Sequence, residues 1–91
     1  MTTVHKNITI TGKVQGVGFR YKCKHQAQLV GVKGFVRNNV DGSVYIEVEG
    51  TNLQITQFTK WCYEGPPHAR VSNVCIEDGN IVNFKVFDIK R

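Results

Sequence analysis

Ile8-Thr9-Ile10-Thr11 alternates apolar with polar residues, the period of a half-buried strand. Gly12 to Gly18 then reads as a strand end and a loop. From Phe19 the apolar residues fall at Phe19, Cys23, Ala27 and Val30, a stripe at helical spacing that Gly31 is suited to stop. Gly34-Phe35-Val36-Arg37-Asn38 predicts a short second strand, and Asn39-Val40-Asp41-Gly42 supplies turn chemistry in which Asp-Gly favours a hairpin. Over Ser43 to Glu49, Val44, Ile46 and Val48 face one way and Tyr45, Glu47 and Glu49 the other, which predicts a third strand.

Thr51-Asn52-Leu53-Gln54 has the spacing of a capping box and opens a second helix, whose inner face should carry Ile55, Phe58, Trp61 and Cys62. Gly65-Pro66-Pro67 ends it, because proline cannot continue a helix. Val71 to Glu77 reads as a fourth strand, with the uneven spacing of Val71, Val74 and Ile76 pointing to a bulge. Asp78-Gly79-Asn80 turns the chain, and the alternation of Val82, Phe84 and Val86 predicts a last strand. The order is therefore β-α-β-β-α-β with a short extra C-terminal strand. That order predicts an α+β, ferredoxin-like sandwich with two helices on one face of an antiparallel-rich sheet. Its core would press the helix stripes against Ile8, Ile10, Val44, Ile46 and Val48. Many functions share this arrangement, so it selects none of them.

At 91 residues the chain is expected to form one domain, residues 1–91, with a modest core. Its 41% hydrophobic and 21% charged residues exclude a disordered class. No apolar run is long enough for a membrane-spanning helix, and the first residues lack the apolar core and cleavage site of an export signal. A cytoplasmic protein without a membrane partner is expected. Cys23, Cys62 and Cys75 form no C-x-x-C pair, which suits neither a disulfide framework nor a zinc site, and all three are expected as reduced core thiols.

Charge changes the picture more than composition does. Residues 1–40 hold Lys6, Lys13, Arg20, Lys22, Lys24, Lys33 and Arg37, while all seven acidic residues lie after position 40, so the net charge of +5 comes from the first part of the chain. An anionic partner fits this asymmetry: nucleic acid, acidic lipid or a small phosphorylated compound.

The junction of the first strand and first helix is the best candidate for binding such an anion. A loop with Gly16 and Gly18 can turn successive backbone N–H groups into one concavity, at a helix N-terminus whose dipole favours negative charge. Arg20 is out of place there for a bare helix, and an anion in the loop resolves the conflict by taking its paired donors. An ordinary glycine turn with Arg20 in water is the other reading. The loop is no nucleotide signature: no Lys-Ser or Lys-Thr follows it, and the third glycine of the dinucleotide fingerprint is missing. A compact phosphate suits it better. In a β-α-β crossover the first two strands run parallel, so Asn38, ending the second, can reach the space before the Gly16 loop, where its amide would hold a water. Turn duty is the alternative for Asn38. No His, Cys or carboxylate cluster has metal-ligand spacing, no acidic residue precedes Asp41 to hold Mg²⁺ near the loop, and His25 between Lys24 and Gln26 reads as solvated.

These residues resemble the acylphosphatase family. Ile10-Thr11-Gly12-Lys13-Val14-Gln15-Gly16-Val17-Gly18-Phe19-Arg20 is similar to its first signature, and Gly34-Phe35-Val36-Arg37-Asn38 followed by Gly42, Val44 and Gly50 to its second. Ala69-Arg70-Val71 and Phe87-Asp88-Ile89 extend the likeness along nearly the whole chain. The resemblance implies hydrolysis of small acyl phosphates to a carboxylate and inorganic phosphate without metal or cofactor. It implies that Arg20 and the loop Gln15, Gly16, Val17, Gly18 and Phe19 hold the phosphate and that Asn38 orients the attacking water. With no base in evidence, a phosphate oxygen of the substrate is expected to take the water's proton. A monomer that binds no nucleic acid is expected. The alternatives are an RNA-binding module of the same element order, which lacks the aromatic residues to stack bases, and an inactive phosphate-binding domain.

Overall fold

The structure is a computed structural model that describes residues 2–91. Its elements are β1 (Val4–Lys13), α1 (Phe19–Val30), β2 (Lys33–Asn38), β3 (Val44–Gly50), α2 (Asn52–Glu64), β4 (Arg70–Asp78) and β5 (Phe87–Ile89). They form one five-stranded sheet in the order β4-β1-β3-β2-β5. All pairings are antiparallel except that of β2 with β5. The expected α+β sandwich is what the chain adopts, with both helices packed on the sheet and on each other.

Strand period and register explain the core. Ile8 pairs with Ile46 and Ile10 with Val44, and Ile46 pairs in turn with Val36, so one face presents a continuous aliphatic layer. Phe19, Cys23 and Ala27 of α1 and Ile55, Phe58 and Cys62 of α2 close over it, and all of these are buried. Trp61, expected inside, is half-buried against Phe19, with ring centroids 5.3 Å apart. The ends of α2 follow the sequence. Gln54 N donates to Thr51 Oγ1 at 3.2 Å and Thr51 N to Gln54 Oε1 at 2.9 Å, completing the capping box. The bulge expected in β4 is present: Thr11 pairs with Asn73 and Gly12 with Val71, leaving Ser72 as the extra residue.

Two expectations are corrected. Val82 to Val86 is not a strand, and the short last strand is Phe87–Ile89. The Glu49 carboxylate accepts hydrogen bonds from Val82 N and, at 3.0 Å, from Phe84 N, so those donors serve a side chain instead of a neighbouring strand. Asn83 between them takes a φ of 67°, which interrupts the extended run. The segment crosses the sheet face opposite the helices as a strap, with Phe84 stacked 5.8 Å from His5 and edge-on to Phe35. Cys75 is exposed while Cys23 and Cys62 are buried. It stands between Val74 and Ile76 in β4, and alternation turns it away from the helices.

Candidate active site

β1 and β2 each pair antiparallel with β3, which lies between them, so they run parallel and their C-terminal ends share one edge of the sheet. The loop from Val14 to Gly18 and the end of β2 therefore meet. Val14 is fully buried and pins the start of the loop. Gly16 and Gly18 adopt φ values of 72° and 76°, and a Cβ at either would meet nothing within 4 Å. Backbone handedness, not space, accordingly calls for glycine at both positions. Gly18 is the N-cap of α1, with no side-chain cap and no acidic residue in the first turn. The N–H groups at that end stay free, and the positive end of the helix faces the loop without a protein counter-charge.

A cleft of about 620 Å³ opens there, lined by Val14, Gln15, Gly16, Gly18, Phe19, Arg20, Tyr21, Asn38, Ile89 and Arg91. No carboxylate or imidazole side chain is among them. Ion pairs among the described residues involve His5 with Glu47 and Glu49, and Lys6 with Asp78, so Arg20 brings an uncompensated charge to the cleft. Asn38 Oδ1 is buried without a hydrogen-bond partner. Buried polar atoms are nearly always satisfied, and an orphan acceptor on a cleft wall is a seat for one proton of a water molecule. No group of three His, Cys, Asp or Glu side chains that could hold a metal ion occurs among the described residues.

Gln15, Gly16, Gly18, Phe19, Arg20 and Asn38, singled out from the sequence, thus share this cleft, whereas Val17 belongs to the loop but not to the lining. Sequence reasoning passed over Ile89 and Arg91. β5 brings them in: Val36 pairs in parallel with Ile89 and Lys90 N donates to Val36 O at 2.8 Å, so Arg91 falls beside Asn38. A three-residue strand has too short a pattern to announce this pairing.

The acylphosphatase family model matches residues 6–89. A curated acylphosphatase of Nocardioides sp. is 40% identical over 84 residues, covering 92% of this chain and 85% of the relative. The chain belongs to the acylphosphatase family. Solved structures agree with the fold. An acylphosphatase from Coxiella burnetii superposes with a TM-score of 0.93 at 34% identity, over 97% of this chain and 93% of the other. The Bacillus subtilis acylphosphatase gives 0.94 at 28% identity, over 99% and 100%. This acylphosphatase is a hydrolase of acyl phosphates, and no helix among its described residues is long and apolar enough to cross a membrane.

Proposed function

We propose that this acylphosphatase cleaves the carboxyl-phosphate bond with Arg20 and the loop amides from Gln15 to Phe19 holding the phosphate and Asn38 holding the nucleophile. The single observation that carries the reading is the orphan Asn38 Oδ1, buried in the same cleft as an unpaired Arg20 at an open helix N-terminus. The transferred phosphoryl group spreads negative charge over its equatorial oxygens, and fixed N–H donors stabilise that charge without reorganising. Asn38 Oδ1 accepts a hydrogen bond from the water, which keeps that proton, leaving an oxygen lone pair directed at phosphorus. The new bond forms from water oxygen to phosphorus, the bond from phosphorus to the carboxyl oxygen breaks, and its electron pair leaves with the carboxylate. The water's other proton passes to a phosphate oxygen, a route supported by a lining with no carboxylate or imidazole side chain.

The partner is a small acyl phosphate, not a nucleic acid. The sheet face away from the helices, which RNA-recognition domains use, carries Glu47 and Glu49 here and is crossed by the strap at Phe84. Cytoplasmic location, a monomer and a reaction needing neither metal nor cofactor complete the proposal. The test is phosphate release from benzoyl phosphate in EDTA. Wild type should turn over, and Arg20→Ala and Asn38→Ala should each lose about 10²–10³ in kcat/KM while keeping their fold. A well-folded wild type without turnover, or full activity in Asn38→Ala, overturns the reading.

A further inference from the structure

Gln15 has a second duty that its place in the amide loop does not reveal. Its side-chain nitrogen donates to Asn39 O at 2.7 Å and to Ser43 O at 2.9 Å. Both protons of the amide are thereby committed, one to each end of the turn joining β2 to β3. That turn is stiff in its own right. Asn39 N donates to Ser43 O at 2.9 Å, Asn39 Nδ2 to Ser43 Oγ at 2.9 Å, and Asp41 Oδ1 accepts from Ser43 N at 2.9 Å and Ser43 Oγ at 2.6 Å. Ser43 is buried. The residue immediately before this knot is Asn38.

Strand pairing alone leaves the relation between loop and Asn38 indirect. β1 and β2 are not neighbours; β3 separates them, so their backbones stand two inter-strand spacings apart, about 10 Å. At this end of the sheet the ladder connects them through Ile10 with Val44 and Val44 with Asn38, the pairs nearest the loop. Gln15 is the one loop side chain with a hydrogen bond across this gap among the described residues, and it lands one residue from Asn38. The geometry points to Gln15 as a positioning residue: its side chain fixes the distance between the phosphate loop and Asn38, and so the angle at which the held water meets phosphorus. The inference rests on the reading that Asn38 holds the attacking water.

The chemistry selects glutamine. Two carbonyl oxygens converge on one nitrogen, which glutamate would repel, and asparagine falls one methylene short. Gln15→Met keeps the length and volume and removes the donors. With benzoyl phosphate, Gln15→Met should lower kcat by about 10–100-fold, the scale of a small misplacement of a reacting group. KM should move by less than about threefold, because the loop amides and Arg20 remain. In an Asn38→Ala background the same change should cost less than about twofold, since the group being positioned is already gone. Independent, multiplying losses in the double variant overturn the inference, as does an unchanged kcat in a folded Gln15→Met protein. Gln15→Asn, run through the same cycle, gives the same discrimination if the methionine variant does not fold. A wild type inactive on benzoyl phosphate refutes the catalytic reading instead. The positioning claim then stands or falls on the Asn38 side-chain amide signal by NMR in the presence of inorganic phosphate. That signal should shift and broaden in Gln15→Met, and a signal identical to wild type refutes the claim.

Discussion

Replacing Arg20 by methionine should move activity and stability in opposite directions. Arg20 is the second residue of α1, in the first turn, where the helix has no acidic residue and no side-chain cap. A cation there opposes the helix dipole by about 0.3–1 kcal/mol, and partial exposure of the side chain favours the lower end of that range. Methionine has nearly the same helix propensity and keeps the apolar stem, so the substitution isolates the charge. Without ligand, the variant should gain about 0.3–0.5 kcal/mol, or about 1–4 °C in Tm for a domain of this size. With ligand the sign reverses. A guanidinium on a phosphate makes up to two charge-assisted hydrogen bonds, each worth about 1.5–3 kcal/mol, so kcat/KM should fall by about 10²–10⁴. Thermal melts at low ionic strength, with and without inorganic phosphate, measure both effects in one experiment. Phosphate at 100 times its Kd should stabilise wild type by about 2.7 kcal/mol and Arg20→Met hardly at all. The gain without phosphate should shrink as salt is added. A variant that melts below wild type without phosphate, or that phosphate stabilises as strongly as wild type, refutes the account of Arg20 as a charge held in place for the anion.

The His5–Glu49 contact under the strap gives a pH signature. Burial alone would lower the His5 pKa, but hydrogen bonds with Glu49 and Asn7 and the charges of Glu49 and Glu47 outweigh it and lift the value above 6.5. Burial would likewise raise Glu49, yet the bonds from His5, Val82 N and Phe84 N hold it below 4.5. The His5 contribution to stability is complete below pH 6.5 and disappears as pH rises through the folded value; that of Glu49 is present above pH 4.5 and disappears in acid. Urea midpoints should therefore decline on the alkaline side of pH 6.5, and Glu49→Gln should flatten that decline; an unaltered slope removes the pair as its cause. The thiols differ as sharply: burial pushes Cys23 and Cys62 up, while Cys75 is exposed. Iodoacetamide on the native protein should modify Cys75 alone by peptide mass mapping, and all three cysteines in urea; rapid native labelling of Cys23 or Cys62 contradicts the packing.

Element order, both helix stripes, the Thr51–Gln54 capping box and the β4 bulge were legible because each is set by local spacing and by residues adjacent in sequence. Gly16, Gly18, Arg20 and Asn38 were legible for the same reason, as two compact motifs at the ends of predicted strands. Where the last strand lies was not. Val82, Phe84 and Val86 keep a strand's alternation, and only Glu49, far earlier in the chain, captures the donors a strand would have used. Cys75 was misread although its neighbour held the answer, since Val74 packs against the core and alternation turns the next residue to the other face. Arg91 beside Asn38, the unpartnered Oδ1 and the two bonds of Gln15 belong wholly to tertiary structure. The amino-acid sequence determined which residues carry the chemistry proposed for binding a phosphate and presenting a water. Their meeting was decided by the order of strands in the sheet, because distance across a sheet depends on which strands are neighbours, and no local pattern encodes that.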